Sequence, residues 1–152
     1  MGYKLRGKTF DEFNIGEDIF TAPRTITEAD VVNFAGLSGD FNPLHTDEKF
    51  MKNSAFGGRI AHGALISAVA TGQVNQLGIF EGTTIAVAQV TTRYTGAVRF
   101  GDTVNTVTTC IEKKESKKPD RGVATFQVKV LNQDGEAVQE AEWVILLSRK
   151  SK

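Results

Sequence analysis

Apolar and polar positions follow two different periods along this chain, and the change comes near residue 80. Upstream, apolar residues recur at helical spacing. Thr27 can cap the first turn of a helix, with Asp30 three residues on in a capping-box arrangement. Val31, Phe34 and Ala35 continue that face, and Gly39 is placed to end it. Residues 63–77 predict a second helix that is apolar over much of its circumference, through Leu65, Ile66, Ala68, Val69, Ala70, Val74 and Leu77. Its place is therefore in the core. Gly78 is its stop. Ahead of both helices, residues 9–23 read as an entry segment, with a turn at Asn14-Ile15-Gly16 and a short strand near residues 18–22.

Downstream the period drops to two. Residues 84–95, 103–111, 123–131 and 137–147 read as strands. The third is clearest, with Ala124, Phe126, Val128 and Val130 on one face and Thr125, Gln127 and Lys129 on the other. Asp134-Gly135 marks a hairpin, after which Ala141, Trp143, Ile145 and Leu147 share one side. Residues 113–121 are charged and read as a solvated loop; the competing reading sets their lysines against a nucleotide phosphate. The order of elements predicts an α+β fold, one sheet of long antiparallel strands wrapped around a long central helix. That is the hot-dog arrangement. A sheet of this kind leaves edge strands open, so a homodimer or higher homo-oligomer is expected.

Composition adds bounds. The 152 residues suffice for one domain with a sizeable core and are too few for two ordinary ones. Eighteen basic and eighteen acidic residues give a formal net charge of zero, so neither nucleic acid nor a membrane surface is an expected partner. Cys110 is the single cysteine, which rules out an intrachain disulfide and reads as a small buried hydrophobe. Residues 1–10 are polar and basic with no apolar core of a signal peptide, and apolar stretches fall short of a membrane span. A cytoplasmic location is the expectation.

Between the two helices, residues 40–62 lose all period and read as an ordered excursion with one helical turn. It opens with Asp40-Phe41-Asn42-Pro43-Leu44-His45. Asn42-Pro43 biases the backbone to a bend that would bring the Asp40 carboxylate toward the His45 imidazole. Such a pair can move protons near neutral pH. The same spacing also fits an ordinary turn, with Asn42 as its Asx residue and His45 satisfying loop backbone. His62-Gly63 stands where the apolar helix begins. There a glycine admits close approach of a ligand, and free N–H groups favour developing negative charge.

Together, Asp40-x-Asn42-Pro43-x-His45 and Phe56-Gly57-Gly58-Arg59-Ile60-Ala61-His62-Gly63 resemble the MaoC-like dehydratase family, of the R-specific enoyl-CoA hydratase type. The resemblance runs from the helix at Thr27 to Gly101-Asp102-Thr103-Val104, and implies that residues 1–152 form one hot-dog domain with its core at about 9–149. It implies that Asp40 and His45 are the catalytic pair on one water, whose hydroxyl adds to the β-carbon of a 2-enoyl-CoA while a proton reaches the α-carbon on the same face. Gly63 matches the glycine whose N–H supports the thioester oxygen. Asn42 and Pro43 shape the turn, and His62 supports it. Thr71 falls where some members carry a serine, keeping the hydroxyl and adding a methyl group. An acyl-CoA thioester is the implied substrate, with no cofactor beyond the coenzyme A it carries.

Other readings stay open. A thioesterase on the same fold would direct water at the carbonyl carbon, and fold alone does not settle chemistry. A dehydratase of branched, dicarboxylic or hydroxylated acyl-CoA differs only in its pocket. A non-catalytic acyl-CoA-binding module would need no acid–base pair. His45, Asp47, Glu48 and His62 offer metal-ligand chemistry, but not at the spacing of a recognised site, so no metal is expected.

Overall fold

Four long antiparallel strands carry the fold, and their alternation sets which face is buried. The computed structural model describes residues 2–150. In chain order the elements are β1 (Asp18–Phe20), β2 (Arg24–Thr25), α1 (Glu28–Ser38), α2 (Pro43–Thr46), α3 (Glu48–Lys52), α4 (Gly63–Gln76), β3 (Thr84–Tyr94), β4 (Thr103–Glu115), β5 (Arg121–Leu131) and β6 (Ala137–Ser148), with a 3-10 turn at Phe10–Glu12. The six-stranded sheet runs β1-β4-β5-β6-β3, and β2 also pairs with β4. Ala124, Phe126, Val128 and Val130 of β5 are buried, as are Ala141, Trp143, Ile145 and Leu147 of β6. Phe126 stands opposite Trp143 in the register.

The sheet wraps α4. Leu65, Ile66, Val69 and Ala70 join Ile26, Val31, Val104 and Val130 in one apolar cluster around the first half of the helix. Val74 continues into a second cluster around Phe13, Phe80, Phe126 and Trp143. Each such buried aliphatic or aromatic side chain stabilises the fold by roughly 1.5–3 kcal/mol. The one polar residue on this face of α4, Gln73, is fully used. Its Nε2 donates to Ala22 O at 3.0 Å and Val104 O at 2.9 Å, and its Oε1 accepts from Thr106 Oγ1 at 2.8 Å. The expected wrapping of a central helix by one sheet is thus observed. Among the described residues no helix is long and apolar enough to cross a membrane.

Two local expectations are corrected. The excursion holds two short helices rather than one turn, each with its own cap: Asn42 Oδ1 accepts from Leu44 N at 3.0 Å, and Asp47 Oδ1 from Phe50 N at 2.9 Å. Residues 113–121 are not one loop. Lys113, Lys114 and Glu115 continue β4 opposite Ala124, Val123 and Gly122, and only residues 116–120 turn. Charged side chains suit a paired strand wherever they point to solvent, so charge alone misled. At the other side of the sheet β3 is an edge strand with exposed Val87, Val90 and Tyr94.

Candidate active site

Asp40 is presented by the stop of α1. Thr27 caps that helix through a hydrogen bond from Asp30 N, and Gly39 ends it at φ 77, a left-handed conformation natural to glycine. The next residue, Asp40, accepts a hydrogen bond from Asn42 N on Oδ1 at 3.2 Å. Asn42 and Pro43 then start α2, with proline in the first turn where no N–H is needed. One turn on, His45 is buried, and its Nδ1 lies 2.7 Å from Ile60 O. A carbonyl can only accept, so Nδ1 carries a proton, and in the neutral ring Nε2 keeps its lone pair. That lone pair faces Asp40 Oδ2 at 4.0 Å. The spacing exceeds a direct hydrogen bond.

His62 completes the cluster in a way its position in the sequence did not suggest. As the residue before α4 it makes no side-chain cap. Its ring turns back instead, donating from Nε2 to Asp40 O at 2.9 Å and stacking on His45 with centroids 3.7 Å apart. Phe34 of α1 packs against its other side at 5.0 Å. The end of α1, the start of α2 and the start of α4 are thereby fastened at one point. Arg59 adds a second fastening, donating to Glu48 at 2.9 Å and Glu28 at 2.7 Å. These carboxylates raise the Arg59 guanidinium above its ordinary pKa, Glu48 most.

Gly63 opens α4 immediately beside this cluster. A Cβ there would lie 2.6 Å from Cε1 of Tyr94, so only glycine fits under that ring. His45, Gly63, Ala64, Tyr94 and Gln139 line a cleft of about 480 Å³ whose walls are otherwise largely apolar. A second cleft of about 300 Å³ continues past Gln139 along α4, lined by Ser67, Thr71, Asn75 and Trp143. Thr71 belongs there and not with the imidazoles; its hydroxyl donates to Ser67 O at 3.0 Å.

Asp40, His45 and His62 each place a ligand atom within 4.8 Å of the other two. The rings, however, are stacked and inclined by only 29°, so their in-plane lone pairs run side by side. A zinc-like ion would need them to converge at about 2.0–2.1 Å. Asp47 caps α3 and Glu48 pairs with Arg59, so neither joins. The cluster fits proton handling better than chelation.

The MaoC like domain family matches residues 12–132, a span holding every residue of the cluster. This chain belongs to that family. An (R)-specific enoyl-CoA hydratase of Rhodospirillum rubrum is 32% identical over 91% of this MaoC-like chain and 90% of its own length. Protein MaoC of Klebsiella aerogenes is 36% identical over 70% of the chain, which spans only 31% of that longer protein. Among solved structures, the monoamine oxidase regulatory protein from Archaeoglobus fulgius superposes with a TM-score of 0.89 at 35% identity, covering 98% and 100% of the two chains. A Mycobacterium tuberculosis protein with a double hotdogfold aligns at TM-score 0.84 and 20% identity, over 96% of this chain and 46% of its own. The MaoC-like chain therefore has the hot-dog fold, α+β in class.

Gln139 was missed from the sequence although a signal was present. It has the parity of Ala141, Trp143, Ile145 and Leu147 on β6, so an amide occupies a core-facing place.

Proposed function

We propose that the protein is an R-specific 2-enoyl-CoA hydratase, working reversibly as a 3-hydroxyacyl-CoA dehydratase. The observation that carries this reading is the 4.0 Å gap between Asp40 Oδ2 and His45 Nε2, the nitrogen left free of Ile60 O. A single water fits within about 2.8 Å of both groups. Positioned there, it gives a proton to the pair as its oxygen bonds to the β-carbon, and the pair returns a proton to the α-carbon on the same face. The negative charge that grows on the thioester oxygen is met by the N–H groups at the start of α4, above all Gly63. No resident metal or prosthetic group is needed. Membership of the MaoC-like family, with a relative bearing this activity in its name, supports the reading.

A thioesterase would need the same water aimed at the carbonyl carbon. The N–H groups at the start of α4, next to the acid–base pair, suit the carbonyl oxygen, which leaves the pair's water for the β-carbon two bonds further out. The exposed edge strand β3, with Val87, Val90 and Tyr94, supports a homodimer in which a second copy covers the clefts. The location is taken as cytoplasmic.

The test is an absorbance assay of purified protein with crotonyl-CoA, followed by chiral analysis. Loss of the conjugated thioester with formation of (R)-3-hydroxybutyryl-CoA is expected. Release of free thiol without hydration would transfer the assignment to a thioesterase, and binding without turnover to a carrier module.

A further inference from the structure

Two glutamines are buried beside α4, and they differ in one respect. Gln73 spends both ends of its amide on protein partners. Gln139, only 2% exposed, spends one. Its Oε1 accepts from Ser67 Oγ at 3.1 Å, while its Nε2 has no partner among the described residues. Turning the amide over exchanges the ends without changing the count, because Ser67 can meet either. That end is not sealed from the clefts, so water can meet it there, and a ligand that excludes the water must replace its hydrogen bond or leave it unpaired at a cost of about 1–3 kcal/mol.

Gln139 stands between the two clefts. Gln139 is the one residue that lines both the cleft at Gly63 and the cleft that continues along α4. Ser67, Thr71 and Asn75 follow Gly63 at four-residue intervals on that side of the helix. Thr71 and Asn75 turn their donors back onto the carbonyls of Ser67 and Thr71, while the single Ser67 proton is shared between Gly63 O at 3.3 Å and Gln139 Oε1 at 3.1 Å. Tyr94 in the first cleft and Thr84 in the second are exposed polar side chains; Gln139 is the buried polar residue that lines both clefts and has hydrogen-bonding capacity to spare.

We propose that Gln139, held by Ser67, is a specificity-determining residue that selects 2-enoyl thioesters bearing a hydroxyl on the fourth or fifth acyl carbon. This rests on the hydratase reading and narrows its substrate class. Ser67 lies one turn from Gly63, about 6 Å along the helix. That is the reach from a thioester carbon to a hydroxyl so placed. A hydroxyl both donates and accepts, so it satisfies whichever amide end is free. A carboxylate fits worse, because neither cleft is lined by lysine or arginine. An unsubstituted alkyl chain leaves the amide unpaired.

Turnover of 4-hydroxybut-2-enoyl-CoA and 5-hydroxypent-2-enoyl-CoA, each against its unsubstituted counterpart, tests this. Expected is a kcat/KM at least about tenfold higher for one hydroxylated substrate, the scale of one net hydrogen bond. In Gln139→Met and Gln139→Leu, shown folded by circular dichroism, that ratio is expected to fall to near one. Hydration of the unsubstituted thioesters with no preference overturns the inference and leaves the hydratase standing. A preference unchanged in the variants also overturns it. So does a changed sedimentation coefficient with an unchanged ratio, which would give the amide to a contact between copies. Hydration of none of the four removes both readings.

Discussion

The imidazole of His62 stacks on that of His45 at 3.7 Å and hydrogen-bonds the carbonyl of Asp40, so one buried side chain touches both members of the proposed acid–base pair. His62→Phe keeps a ring in the stack and deletes the hydrogen bond. Turnover of crotonyl-CoA should fall by about tenfold to a hundredfold, the scale of misplacing a reacting group. The loss of stability should be about 1–3 kcal/mol, read from urea denaturation. An unchanged kcat would sever His62 from the chemistry.

Asp40→Asn and His45→Gln should each lower kcat by roughly a hundred- to ten-thousandfold, the usual contribution of a positioned acid or base. Asp40 is half-exposed in its side chain and ends a helix that Gly39 already stops, so circular dichroism and melting of Asp40→Asn should match the parent. Retained turnover in either variant would assign the pair to turn structure alone.

Gly63→Ala tests the oxyanion role. The new Cβ meets the ring of Tyr94, which is 56% exposed and free to swing outward. The fold should survive with a cost within about 1–3 kcal/mol, while the displaced ring and added methyl crowd the thioester. Expected is a drop in kcat/KM of about a hundredfold or more. Adding Tyr94→Ala should recover part of it, measured in the same assay.

A contrasting glycine probes the fold away from the site. At Gly122 a Cβ would lie 2.5 Å from Cδ2 of Phe10. That ring is buried and held under Lys113 at 4.7 Å and Arg149 at 5.3 Å, so it has nowhere to go. Gly122→Ala should destabilise by about 1–3 kcal/mol, lowering Tm by several degrees on the usual size scaling, with kcat little changed.

Glu12 gives an acid-side prediction. The Thr9 backbone N–H, then the Lys150 ammonium and the Thr9 hydroxyl, hold its carboxyl down at about 2 against an ordinary 4.5. A lowered folded pKa means stability present above 4.5 and lost as pH falls toward 2. Glu12→Gln should therefore flatten the decline of the urea midpoint between pH 5 and about 2.5. Parallel curves for the two proteins would show that Glu12 adds nothing there.

Local chemistry made much of this legible. The cap at Thr27, the stop at Gly39 and the buried parity of β5 and β6 all follow rules spanning a few residues. The turn and the helix start left local marks at Asp40, His45 and Gly63, but that spacing fits an ordinary turn equally well, and their candidate roles came from the resemblance of the two motifs to the MaoC-like family. What escaped depended on distance or on reading charge too simply. The Asp40–His62 bond joins residues 22 apart, and no pattern in the chain announces that a ring before a helix will turn backward. Asn42 and Asp47 did carry cap signals for α2 and α3, which the absence of period hid. At Gln139 the parity of β6 implies burial, a signal left unread, and only the fold shows that one end of the amide has no protein partner among the described residues.

Both anchors of the chemical cluster lie at the ends of the excursion, His45 tied to Ile60 and Asp40 tied to His62. The segment between, residues 46–59, spans a gap whose two banks are already bolted together. Away from buried Met51 and the Arg59–Glu48 pair, the largely exposed residues 52–57 can therefore drift, or be recut by design, and reshape the mouth of the cleft without moving Asp40 and His45. The same paired carboxylate and imidazole can in this way be fitted with different doorways.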